Sequence, residues 1–140
     1  MNRHSYAAVL LFLIGLIVST CPIAANEKPG NSPYAGQYSG PYTFISDTLG
    51  DQKGKGTIAI ADDGKVTGNV ENETLGIKGK LSGSVTDDGD VTLVLDWGTN
   101  TFEIKGTAAK NRSSHLTGTL NQYSGKKVVG VVRMNLQTTK

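Results

Sequence analysis

Gly64-Lys65-Val66-Thr67-Gly68-Asn69-Val70 decides how this chain is read. After the turn glycine, Val66, Gly68 and Val70 alternate with Lys65, Thr67 and Asn69. The core of the pattern, apolar-x-Gly-x-apolar, returns as Leu81-Ser82-Gly83-Ser84-Val85 and as Ile104-Lys105-Gly106-Thr107-Ala108. It recurs again as Leu116-Thr117-Gly118-Thr119-Leu120 and as Val128-Val129-Gly130-Val131-Val132. A period of two residues means a strand with one buried face. The copies are separated by turn signals at uneven spacing, so they read as strands of one sheet and not as stacked solenoid units.

Working outward, the same alternation predicts eight strands, at about residues 36–45, 53–61, 65–71, 74–85, 91–97, 101–109, 115–122 and 127–136. Asp62-Asp63-Gly64 is a hairpin signal, because Asp and Gly tolerate the positive φ such turns demand. Asn72-Glu73, the run from Asp87 to Asp90, Gly98-Thr99-Asn100 and Ser124-Gly125-Lys126 are read as further turns. Pro41 has no N–H, so the first strand is expected to bend there or to lie at an edge. No amphipathic helical window follows the N-terminal segment. An eight-stranded antiparallel up-and-down meander has two edges to hide, and closing into a barrel removes both. The fold class expected is therefore all-β, a small barrel whose centre, given the mid-strand glycines, either collapses flat or stays open. Ile58, Ile60, Val66, Val70, Ile77, Leu81, Leu93, Leu95, Ile104, Leu116, Leu120 and Val132 are expected to point inward, with Gly68, Gly83, Gly106, Gly118 and Gly130 on the same face. Leu75 and Val128 share that parity.

The 140 residues suffice for one domain. Residues 1–25 read as a secretory signal peptide: Arg3 near the start, an apolar run from Val9 to Val18, then Ala24 and Ala25. Cleavage is expected after Ala25. Residues 26–34, with Pro29, Gly30 and Pro33, read as a flexible leader, and residues 35–138 as a single barrel domain. The expected location is periplasmic or secreted, and the signal reads as bacterial. Val18-Ser19-Thr20-Cys21 resembles the lipobox of bacterial lipoproteins, which offers the alternative of an anchor through Cys21. Cys21 is the single cysteine, so a chain cut after Ala25 enters an oxidising compartment without disulfides. Losing the signal removes Arg3 alone and lowers the formal net charge of +2 by one. Charges are interspersed, which argues against a nucleic-acid footprint. The polar alternate face argues against a lipid-facing barrel.

Candidate chemistry is sparse. His115 is the only histidine beyond the signal. Its neighbours Ser113 and Ser114 are adjacent in sequence, which in a strand points side chains to opposite faces, so no nucleophile and base are set up. The clusters Asp62-Asp63 and Asp87-Asp88-Asp90 fit hairpin turns better than the alternate-ligand spacing of a calcium loop. No enzyme, cofactor or metal site is expected. Trp97, at a strand end, is the lone tryptophan. Aromatic rings at a barrel mouth either plug it or stack on a ligand. Trp97, Tyr38, Tyr42, Phe44 and Phe102 are the candidate ligand contacts.

Asp63-Gly64-Lys65-Val66-Thr67-Gly68-Asn69-Val70-Glu71 is similar to the second hairpin region of avidin-like proteins, and Gly36-Gln37-Tyr38 stands where calycins carry Gly-x-Trp. The chain resembles the calycin group of small secreted barrels, which includes lipocalins and avidins. The resemblance implies a ligand-binding barrel and places Arg133 over the ring of Tyr38. Tyr38 departs from the Trp of the pattern, and biotin binding is not implied. The expectation is an exported, non-enzymatic barrel for a small apolar or amphipathic ligand or an envelope partner. The alternative is an interaction or enzyme-inhibitor module that meets an extracellular protein through its hairpin loops.

Overall fold

The computed structural model describes residues 31–139. The expected signal peptide, Cys21 and the expected leader as far as Gly30 lie outside the described residues. Eight strands follow in chain order: β1 (Gly36–Ile45), β2 (Gln52–Ile60), β3 (Lys65–Asn72), β4 (Ile77–Val85), β5 (Asp90–Asp96), β6 (Thr101–Lys110), β7 (His115–Ser124) and β8 (Lys127–Thr138). Each pairs antiparallel with its sequence neighbours, and β8 pairs with β1 to close the barrel. The alternation explains why. In β2, Gln52, Gly54, Gly56, Ile58 and Ile60 are buried while Lys53, Lys55 and Thr57 are exposed. In β5, Val91, Leu93 and Leu95 are buried between exposed residues. All twelve residues expected to point inward line the interior.

Following the register from Phe44 through Val132, Leu120, Gly106 and Val91 leads to Val85, whose N–H donates to the carbonyl of Gly64. Gly64 lies in the turn at the far end of β2 from Gln52, the other partner of Phe44. The strands are therefore strongly tilted, as closing a sheet of eight requires. Pro41 behaves as its missing donor demands: β1 meets β8 at Ser39–Gln137 and again at Tyr42–Met134, with the ladder broken between.

Three local readings change. Strand β4 starts at Ile77, not at residue 74. Gly76 takes φ 66° and donates to the carbonyl of Asn72, which makes residues 73–76 a tight loop and leaves Leu75 exposed on it. Val128 faces out, 47% exposed, because a β-bulge interrupts the β7–β8 ladder after Gln122. The extra residue, Val129, reverses the parity of what precedes it. The interior is also not flattened: the closed circle of tilted strands holds its walls apart around a cavity of about 300 Å³.

One end of the barrel is sealed. The chain joins the domain at Ser32, whose N–H donates to the Asp62 carbonyl at 2.8 Å. Tyr34 crosses the end and donates its hydroxyl to the Ala108 carbonyl at 3.3 Å. Beneath it Tyr38 is 0% exposed and donates to the Tyr34 carbonyl at 2.7 Å. The cation over the Tyr38 ring is Lys110, its Nζ 5.7 Å from the centroid, a cation–π arrangement. Arg133 does not fill that role. It pairs with Thr43 and Thr119 and is exposed on the outer face.

This seal predicts a graded response. Tyr38→Phe loses one hydrogen bond and should cost about 0.5–1.5 kcal/mol. Tyr38→Ala also empties the end of the core and should cost about 3–5 kcal/mol. Urea unfolding midpoints at unchanged m-value measure both.

Candidate functional site

The cavity runs from the sealed end to the opposite mouth, where loops 46–51, 73–76, 97–100 and 125–126 join the strands. Its walls are mainly aliphatic, and among the described residues no charged side chain lines it. It reaches the surface beside Leu49, Leu75 and Ile77, which are 55%, 56% and 38% exposed. Of the five candidate aromatic residues, Tyr42, Phe44, Trp97 and Phe102 line it. Tyr38 does not and belongs to the sealed end.

Three of these rings are seated on glycines of a neighbouring strand. A Cβ added at Gly54 would run into the Tyr42 ring, and one at Gly130 into the Phe44 ring. At Gly79 it would come within 2.6 Å of Trp97 Cε3. The inward glycines at the mouth are thus covered by aromatic rings of the neighbouring strand. Gly56 differs: a Cβ there meets only Val70 Cγ1, at an ordinary 3.6 Å.

Polar side chains inside the mouth were missed by reading residues 46–52 as a polar loop and Asn72 as a turn. Gln52, Asn72 and Gln122 are 8%, 3% and 6% exposed. The first two form a strap between mouth loops. Gln52 Nε2 donates to the Leu49 carbonyl at 3.4 Å, and Asn72 Nδ2 donates to Gln52 Oε1 at 2.6 Å. The Leu75 N–H donates to Asn72 Oδ1 at 3.0 Å. Two exposed leucines are therefore held in place by two buried amides. On the other side, Ser46 Oγ donates to the Val129 carbonyl at 2.7 Å and fixes the bulge. The signal for all three amides was present: each continues the inward parity of its strand by one more step.

The Tyr42 hydroxyl donates to the Glu71 carbonyl at 3.3 Å. Burial, and then the Glu73 carboxylate, push its pKa up to about 12. Glu73 itself bridges to Lys55 at 2.9 Å on the outside. His115 lies at the start of β7, at the sealed end, with its backbone N–H donating to Asn111 Oδ1 at 2.9 Å. Asp63 likewise accepts from the Lys65 N–H within its turn, at 2.9 Å. Neither reaches the cavity.

No protein-family model, no curated protein and no solved structure matches this chain. The likeness to calycins rests on the closed eight-stranded antiparallel architecture. Among the described residues no helix is long and apolar enough to cross a membrane.

Asn72→Ala should cut the strap. It leaves the Leu75 N–H and Gln52 Oε1 without partners, at a cost of about 1–3 kcal/mol. Amide hydrogen exchange should rise first at Leu75. Tyr42 gives a pH test. Its phenol ionises near the ordinary 10 when unfolded but only near about 12 when folded. Its contribution is complete below pH 10 and is lost as the pH climbs to about 12. The stability difference between wild type and Tyr42→Phe should fall across that window and be flat below it.

Proposed function

We propose that this chain is an exported, non-enzymatic barrel that carries a small apolar or amphipathic molecule in its interior. The observation that carries the reading is the apolar cavity of about 300 Å³ that opens at one end only. Burial of a ligand's apolar surface there would be worth roughly 25 cal/mol per Å² before the costs of association. The mouth aromatics add flat surfaces against which a ring or chain can pack. Export is inferred from residues 1–25, which puts the ligand in the periplasm or outside the cell; a lipid anchor on Cys21 would hold the same barrel at a membrane surface.

A second reading has its own support. Leu49 and Leu75 stand exposed on loops braced from beneath, as contact residues for a protein partner would be. One variant separates the two. Gly56→Leu projects a side chain into the cavity from a position with space for it and leaves both loops untouched. Titration with the neutral ten-carbon dye azulene, followed by quenching of Trp97 fluorescence, should give saturable binding to wild type and at least tenfold weaker binding to Gly56→Leu. The variant should fold at least as stably as wild type. Absence of any response from wild type removes the ligand reading. A partner captured equally by wild type and Gly56→Leu favours the loops.

A further inference from the structure

Gln122 is the polar group of the cavity that the fold does not use. It projects inward from β7, is 6% exposed and lines the cavity. Gln52 and Asn72 spend their amides on each other and on the loops. Gln122 takes part in none of the side-chain hydrogen bonds of the described residues, and no side-chain nitrogen or oxygen is sealed away without a partner. Its amide therefore faces open space within the cavity. It stands between Ile104 on β6 and Gly130 on β8, the glycine on which the Phe44 ring lies. The β7–β8 bulge falls immediately after it. Bulges are used beside binding sites to aim a side chain, and the Ser46 hydroxyl secures this one by its bond to Val129.

A buried amide with free N–H and C=O groups loses its hydrogen bonds to water unless something inside replaces them. The remaining lining is almost wholly apolar and carries no charge. A carboxylate or ammonium drawn inside would find no counter-ion and would bear a large desolvation cost. An uncharged hydroxyl, carbonyl or amide would find in Gln122 a partner able both to donate and to accept. The volume corresponds to about ten waters at roughly 30 Å³ each, so to a ligand on the order of ten non-hydrogen atoms.

We infer that the ligand is a neutral amphipathic molecule of about that size, an apolar body with one uncharged hydrogen-bonding head, and that Gln122 is its polar anchor beside Phe44. This rests on the carrier reading above and adds the chemistry of the head group.

The test displaces azulene with nonan-1-ol, decane and nonanoate at pH 8, in wild type and in Gln122→Leu, with Gln122→Met as a second variant of similar shape. Nonanol should displace the dye from wild type and lose about tenfold relative to decane in both variants, the equivalent of one neutral hydrogen bond. Dye and decane should bind the variants at least as well as wild type, which also reports that the variants are folded. Nonanoate should bind wild type more weakly than nonanol. An unchanged nonanol-to-decane ratio in the variants overturns Gln122 as anchor while leaving the carrier reading intact. Nonanoate binding as tightly as nonanol overturns the neutral head group. Failure of the dye and all three ligands to bind wild type overturns both readings together.

Discussion

The ladder between β1 and β8 is what the rest of the molecule depends on, because it turns a sheet with two faces into a wall with an inside and an outside. Once it forms, no strand edge is left to pair with another chain. Every second residue is committed to the interior, where the twelve expected aliphatic positions lie. Among the described residues there is no cysteine, so no cross-link shares the task. Closure tolerates one gap in this ladder, at Pro41, and one bulge on the other side of β8, at Val129. Both lie along the seam strand, where the last pairing of the meander has to accommodate the accumulated tilt.

The two ends of the wall are finished in opposite ways. At one, Tyr34 and Tyr38 hydrogen-bond to backbone and to each other, and their rings close the barrel. At the other, the rings of Tyr42, Phe44 and Trp97 lie on glycines of the adjacent strand and so occupy wall instead of lumen. The same residue class is thus a plug at one end and a lining at the other. Filling is not what these glycines avoid. They receive the ring of a neighbour, and the space that remains belongs to the centre.

Much of this was legible in the residues, because a period of two is a strong signal when one face is uniformly apolar. The turns at Asp62-Asp63-Gly64 and after Thr86 were legible for the same local reason, that Gly64 and Gly89 adopt positive φ. What stayed hidden was non-local. Val129 looks like any strand valine, and only pairing with β7 makes it the unpaired residue. Lys110, and not Arg133, sits over Tyr38, because β6 ends at the sealed end while Arg133 faces outward from β8. Flattening could not be judged from the glycines alone, since it depended on which rings would cover them. Of the site, the four mouth aromatics were legible. Gln52 and Asn72 were not, because a polar residue at a strand end reads as loop or turn. Gln122 fell within the expected seventh strand, but nothing local marks it as the one amide of the cavity without a side-chain partner among the described residues.

Those amides are where stability and recognition divide. Gln52 and Asn72 are satisfied within the protein and hold the loops that carry Leu49 and Leu75. Their contribution is complete whether or not anything is bound. Gln122 has the same chemistry and nearly the same burial, yet its amide takes part in no side-chain hydrogen bond among the described residues. Hydrophobic enclosure alone gives an affinity that rises with any apolar molecule small enough to enter. A single unsatisfied amide changes the ranking, since it penalises ligands that leave it unpaired and favours those that answer it. In the proposed carrier, selectivity would therefore reside in the one amide of the cavity that has no side-chain hydrogen bond among the described residues, not in the many aliphatic groups that form the wall.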